Sequence, residues 1–423
     1  MIHQYIKQAW YMLRENKLLS IISILGTALA ICMIMIIVIL YEVNTANISP
    51  EIHRNQTYYL TAVESIDKTT NRRQSYGFMG LPFIKECFYT LESAEVVTAV
   101  SRTQGEKLYA TTMDGNRGSS TDVLFTDGYF WDIFAFDFIA GKPFEYTAAE
   151  AGMKTLVINE TLARRLFGST DVTGKEMKLN YIVYTISGVV RDVSRYADKT
   201  YADIWIPYHA GANTSAWCDG INGNFNCYIL KKPEVSRETF HNEVSSKVAT
   251  FNGQTPQFRA EIGSQPFSHL EYWLGGSGNH QAPDLKKIFM RYGMIIIVLL
   301  LVPALNLSGI TLAQMRKRIS ELGVRRAFGA TTGNIMWQVL TENLLLTLVG
   351  GFFGLLFSYL GMVLFKDWLL MTTMGQSGLT GGMFNPVVFL IALAFCLVMN
   401  LLSAGIPAWR VSRVTVVESI KEE

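Results

Sequence analysis

Four apolar runs, each long enough to cross a bilayer, restrict this chain more than any motif in it. They cover Leu18–Leu40, Gly293–Ala313, Leu340–Phe365 and Pro386–Ala408. A helix needs about 20 residues to span the hydrocarbon layer. Hydrophobic residues make up 49% of the sequence and charged residues 17%, and the apolar excess is concentrated in these runs. One buried soluble helix can imitate a span, but four together make that reading improbable. The first run exceeds the 7–15 apolar residues of a signal peptide, and no A-x-A site follows it, so it reads as an uncleaved span. The expected fold is an α-helical membrane protein with four transmembrane helices and a large extracytoplasmic α+β domain.

Lys and Arg near the span ends set the orientation. Lys7, Arg14 and Lys17 precede the first run. Arg316, Lys317, Arg318, Arg325 and Arg326 lie between the second and third, and Arg410, Arg413 and Lys421 follow the fourth. Both termini and the second connection are therefore expected in the cytoplasm. The implied order begins with an amphipathic cytoplasmic helix at 1–17, a first span at 18–41 and an extracytoplasmic domain of one or two lobes at 42–284. A stalk and second span at 285–315, a cytoplasmic coupling loop at 316–336 and a third span at 337–365 follow. A short external loop at 366–385, a fourth span at 386–409 and a cytoplasmic tail at 410–423 complete it. Residues 1–17 place Ile2, Ile6, Ala9, Trp10 and Leu13 on one helical face, as in a helix lying along the inner leaflet. Lys286, Lys287 and Arg291 lie against the charge rule, which long translocated segments weaken.

The external segment alternates strand-like and helix-like stretches. TYYLTAV, EVVTAVS and KLYATTM read as strands, and GLPFIKECFYTLES reads as a helix. In KTLVINETLARRLFG a strand turns into a helix, with Asn159 as its cap and Gly168 as its stop. MKLNYIVYTISGVVRDV reads as two strands about an asparagine turn. NCYILKKPEVSRETFHNEVSSKVAT reads as strand, turn and helix. The glycine-rich Gly275–Asp284 marks a boundary. Cys87, Cys218 and Cys227 would face an oxidising compartment, where Cys218 and Cys227 either close a short loop or stay as thiols.

Catalytic signals are sparse. The nearest approach to a phosphate-cradling loop is GSTDVTGKE at Gly168–Glu176, with one residue too many between the glycines and Glu176 in place of the metal-binding hydroxyl. There is no HExxH, paired CxxC or GxSxG, and the six histidines stand at no ligand spacing. The chain is expected to be non-catalytic, with no cofactor or metal of its own. A formal net charge of +2 suggests no nucleic-acid partner.

Two stretches carry the expected function. RKRISELGVRRAFGATTGNIMWQVL supports a short helix along the inner surface, started by Ser320 at Glu321 and ended by Gly329. Within it Leu322 and Phe328 can fill a groove on a soluble partner beside Gly323, Arg325 and Arg326. A merely positive topology anchor is the plainer reading. In the third run Gly350, Gly354, Ser358 and Gly361 form a small-residue stripe suited to close helix packing, within one subunit or across a dimer.

The chain resembles permeases of the MacB/FtsX-like ABC transporter family along nearly its whole length. The resemblance rests on YIKQAWYMLRENKLLSIISILGTALAI at the start and VINETLARRLFGSTDVTGKEMKLNYIVYTISGVVRDV in the external domain. RISELGVRRAFGATTGNI and the closing PAWRVSRVTVVESIKEE complete it; valine stands in the tail where relatives often have proline. The resemblance implies dimerisation with itself or a related permease, and a cytoplasmic ABC ATPase, on a separate chain, that holds ATP and Mg. It also implies contact with membrane lipid, and in some members a periplasmic adaptor or an outer-membrane channel. ATPase closure would pass through Ser320 to Asn334 into motion of the external domain, in the inner membrane of a bacterium. Export or expulsion of a substrate is the expected role; control of an external hydrolase or sensor is the alternative.

Overall fold

The computed structural model describes residues 17–47, 49–102, 107–193, 197–275, 280–298, 301, 331–369, 389–390, 393–394 and 397–398. They divide into two compact units, one built on Val43–Leu285 and the other on the flanking helices.

In the soluble unit β1 (Thr57–Leu60), β2 (Val63–Asp67) and β3 (Arg73–Gly77) precede a helix at Leu81–Cys87. β4 (Ala94–Arg102), β5 (Leu108–Thr112), β6 (Gly118–Thr121) and β7 (Val123–Thr126) follow, then β8 (Phe138–Gly141) and β9 (Thr155–Asn159). After them come β10 (Glu176–Leu179), β11 (Ile182–Val190), β12 (Ile204–Pro207), β13 (Asn226–Lys231), β14 (Phe258–Glu261) and β15 (Phe267–Ser268). A 12-stranded mixed sheet has the order β15-β1-β13-β4-β7-β12-β9-β11-β10-β5-β6, with β8 also on β11, and β14-β2-β3 form a second sheet. β9–β11 and β7–β12 pair in parallel, while β12–β9 is antiparallel.

Strand periodicity explains why the large sheet is buried on both faces. Side chains alternate across a strand, so Ile204 and Ile206 join one core while Trp205 joins the other. Leu156 and Ile158 divide from Val157 in the same way, as do Cys227 and Ile229 from Tyr228 and Leu230. Unbroken apolar runs such as TLVIN and IWIP are what a doubly covered strand requires. The helices Leu81–Cys87, Glu160–Phe167 and Arg237–Gln254 supply apolar residues to the first core. Phe130, Phe134 and Phe144, with the half-buried Trp131 and Phe136, surround Trp205 on the second.

The local signals act as expected along Lys154–Val190. The Asn159 side chain accepts from Leu162 N, and Gly168 ends the helix at φ 74°, a left-handed position that glycine adopts without steric cost. Asn180 and Tyr181, at φ 43° and 72°, make the hairpin turn between β10 and β11. TYYLTAV, however, breaks into β1 and β2 because the Gln265 side chain takes the Thr61 and Ala62 amides at 2.7 and 3.3 Å. Cys218 and Cys227 are both free thiols. Cys227 faces the core on β13, whereas Cys218 occupies a turn at φ 52°.

The flanking unit holds helices Lys17–Thr45 and Thr332–Leu369, and residues 285–298 are also helical. Among the described residues two helices have stretches long and apolar enough to cross a bilayer, Ser20–Val38 and Leu344–Gly361. The amphipathic lead at 1–16, most of the expected second span and most of the fourth lie outside the described residues.

Candidate functional site

The residues nominated for ATPase coupling, Ser320, Glu321, Leu322, Gly323, Arg325, Arg326, Phe328 and Gly329, lie outside the described residues. The small-residue stripe is described. A Cβ on Gly350 would lie 2.8 Å from Thr27 Cβ, and one on Gly354 would lie 2.9 Å from both Ala28 O and Ile31 Cβ. Those distances are shorter than real Cβ contacts, so the two glycines allow helices Lys17–Thr45 and Thr332–Leu369 to approach closely. Gly351, which sequence reading passed over, meets Leu393 in the same way. Ser358 is buried and donates to Leu355 O at 2.8 Å, whereas Gly361 has open space where a side chain would be. The structure thus brings Gly350 and Gly354 against another helix of the same chain and leaves Gly361 outside that contact.

A second constellation forms where the first helix ends and the soluble unit begins. Asn44 and Thr45 close the helix, and the chain then turns through 46–56 into β1. Arg54 Nε donates to Glu51 Oε2 at 2.7 Å, with both side chains about 1% exposed. Arg54 Nη1 donates to Ala46 O at 3.0 Å, and Thr200 Oγ1 donates to Glu51 Oε1 at 3.2 Å. Thr200 O in turn accepts from the indole N–H of Trp205, at the centre of the second core. On the other side His269 Nε2 lies 2.7 Å from Asn44 O, and His269 Nδ1 lies 3.1 Å from the Tyr59 hydroxyl.

The chemistry of these groups fixes their states. A carbonyl only accepts, so His269 carries its proton on Nε2 and takes the Tyr59 hydroxyl on Nδ1. Burial, followed by the nearby Arg54 cation, pulls the imidazole from the usual 6.5 down to about 4, so the ring is neutral at physiological pH. Burial also pushes the Glu51 carboxyl up, against the pull of Arg54. The carbonyls of Asn44 and Ala46 are therefore held by buried side chains, His269 on its short helix and Arg54 in the turn before β1. Nothing in this joint has a nucleophile–base geometry; it fixes the chain segment that leads into β1. The sequence carried one trace of it, the Glu51–Arg54 spacing directly after the first span, whereas the partners Tyr59, Thr200 and His269 lie far apart along the chain.

Other polar clusters in the soluble unit have structural roles. Asp127 accepts from Thr98 Oγ1 at 2.6 Å, from the Tyr89 hydroxyl and from Phe130 N at 3.2 Å. Burial raises its pKa to about 6 despite those donors. Lys85 Nζ bridges to Glu150 at 2.8 Å with both side chains about one third exposed. An open depression of about 610 Å³ is lined by Arg117, Leu166, Phe167, Lys175 and Glu176 among others. Among the described residues no three His, Cys, Asp or Glu side chains are grouped to hold a metal ion.

Comparison with known proteins agrees with this architecture. Residues 20–247 match the MacB-like periplasmic core domain, and residues 293–416 match the FtsX-like permease C-terminal domain. An uncharacterised ABC transporter permease of Bacillus subtilis, YknZ, is 21% identical over 363 residues, covering 85% of this chain and 86% of its own length. The macrolide export ATP-binding/permease protein MacB of Photorhabdus laumondii is 21% identical over 425 residues. That match takes in 98% of this chain, which spans 60% of the relative's length. The crystal structure of the periplasmic region of MacB from Actinobacillus actinomycetemcomitans aligns at 13% identity and a TM-score of 0.37, covering 50% of this chain and 91% of that one. With the MacB-like core domain matched over more than half its residues, the chain belongs to the MacB/FtsX-like family of ABC transporter permeases.

Proposed function

We propose that this chain is the membrane subunit of a mechanically driven ABC transporter of the bacterial inner membrane. ATP hydrolysis, with Mg, takes place on a separate cytoplasmic ATPase. The work enters through Ser320 to Asn334 and leaves as movement of Val43–Leu285 outside the membrane, expelling a substrate handled there. The permease works as a dimer, with itself or a related chain, and a periplasmic adaptor or outer-membrane channel extends the path. The macrolide-export name of the MacB relatives makes amphiphilic drugs a reasonable first substrate class to assay.

The observation that carries this reading is the buried joint at Asn44, Glu51, Arg54 and His269. A lever requires that the moving body be stiff where the chain enters it. Here two carbonyls at that entry, those of Asn44 and Ala46, are held by an arginine and a histidine, both buried. Such groups are costly to leave unpaired, so the entry resists opening. The reading is tested at the other end of the lever. Replacing Leu322 or Phe328 by Glu is expected to abolish co-purification with the ATPase while membrane insertion is retained. Normal co-purification of both variants overturns the coupling assignment.

A further inference from the structure

Asp127, immediately after β7, is a carboxylate buried without a cation. Its side chain is fully shielded from water, and among the described residues no lysine, arginine or histidine forms an ion pair with it. Three donors stand in place of a counter-charge, each from a different element. Thr98 Oγ1 of β4 donates to Oδ1 at 2.6 Å, and Phe130 N, at the start of a short helix, donates to the same oxygen at 3.2 Å. The Tyr89 hydroxyl, two residues past helix Leu81–Cys87, donates to Oδ2. The Tyr89 oxygen also accepts from Ala99 N of β4 at 3.0 Å. One carboxylate therefore fastens the end of that helix to β4 and β7.

The carboxylate cannot reach water by a local swing. A Cβ on Gly128 would lie 2.1 Å from Tyr146 N, so the residue after Asp127 is pressed against the backbone at 145–146. On the other side Thr126 is buried, its hydroxyl oxygen 3.2 Å from that of Thr98. Hydration of Asp127 thus requires Tyr89, and the helix end before it, to move away from β4.

The charged and neutral forms resist that opening unequally. An ionised carboxylate regains a large hydration energy when the cluster opens, and a neutral carboxyl regains far less. Burial, working against the Thr98 and Tyr89 donors, raises the Asp127 carboxyl to about 6. Its folded value lies above that of an exposed aspartate. The stabilisation is therefore complete below about 3.9 and is lost as pH rises through about 6. The groups that face Asp127 keep their charge across this window. Burial pushes up the Tyr89 hydroxyl, the Tyr208 hydroxyl and the Cys227 thiol of β13, and it takes Tyr146 to about 12. The nearby Lys85 and His209 pair with Glu150, at 2.8 and 3.8 Å.

We propose that Asp127 is an acid-set fastener. Proton uptake from the compartment that the soluble unit faces locks the end of helix Leu81–Cys87 onto β4, and proton release loosens it.

The test is amide hydrogen exchange of the full chain in detergent micelles, corrected for the intrinsic rate at each pH. Segments 81–91 and 94–102 are followed from pH 7 to pH 5, with helix Glu160–Phe167 as the reference. Protection in the two segments is expected to rise about tenfold as pH falls, and the reference is expected to change less. Asp127→Asn is expected to abolish the rise. Tyr89→Phe removes a donor that favours the ionised form, so it is expected to keep the rise and move its midpoint to higher pH. Equal protection at pH 7 and pH 5 in the wild type overturns the proposal. A rise of the same size in the reference helix, or an undiminished rise in Asp127→Asn, also overturns it, since other groups then titrate. Should Asp127→Asn fail to fold, an unmoved midpoint in Tyr89→Phe overturns the proposal, because a purely structural tyrosine would change protection equally at every pH.

Discussion

Two ion pairs in the soluble unit, one local within the turn before β1 and one between elements far apart in sequence, differ in how much water reaches them. Glu51–Arg54 is closed at 2.7 Å with both side chains about 1% exposed, whereas Lys85–Glu150 is closed at 2.8 Å with both about a third exposed. Their lengths are nearly equal and their mechanical roles are not. In the dry pair each partner is held by the cost of leaving the other charged and buried. In the wet pair water can replace either partner, so the contact contributes little. The dry pair lies in the turn through which the chain enters β1, and the wet pair lies on the surface beside Tyr208. The difference indicates where this molecule is built not to yield.

The largest expected effect follows directly. Glu51→Ala leaves Arg54 buried without its carboxylate and is expected to destabilise the soluble unit by about 3–5 kcal/mol, read by denaturant or thermal unfolding of the detergent-solubilised chain. A loss below about 1 kcal/mol would show that the joint is wetter than its geometry indicates. A second effect concerns His269 and pH. Because its folded pKa lies below the usual value, its contribution is intact above about 6.5 and is lost as pH falls towards about 4. The stability gap between the wild type and His269→Gln is expected to close by up to about 3 kcal/mol between pH 7 and pH 4. The difference between the two proteins isolates this group from Asp127, whose raised pKa acts in the opposite direction over part of the same range. The smallest effect belongs to the wet pair. Glu150→Gln is expected to cost about 0.2–1 kcal/mol and to become undetectable in high salt. An effect as large as that of Glu51→Ala would erase the distinction between the two pairs.

What the sequence disclosed and what it withheld divide along the same physical line. Signals acting over a few residues were legible: Asn159 and Gly168 bracket their helix, and Asn180 turns its hairpin, because each needs only its neighbours' backbone. The α+β character followed from alternating patterns, and two long apolar helices followed from apolar length. Long-range polar contacts were not legible. Gln265 splits TYYLTAV from 204 residues away, and His269 reaches Asn44 across 225. No periodicity records such partners. The stripe Gly350, Gly354, Ser358 and Gly361 was readable as a packing pattern, but which of its members touch a helix depends on where Thr27 and Ile31 lie.

The most direct test of the account is one distance followed through the ATPase cycle. Spin labels at Ser120 in the soluble unit and at Trp337 near the start of helix Thr332–Leu369, both exposed, would be placed in the permease reconstituted with its ATPase. The account predicts that the distance distribution shifts when ATP and vanadate trap the closed ATPase, and that His269→Gln broadens or abolishes the shift. A wild-type distribution identical with and without trapped nucleotide would contradict it.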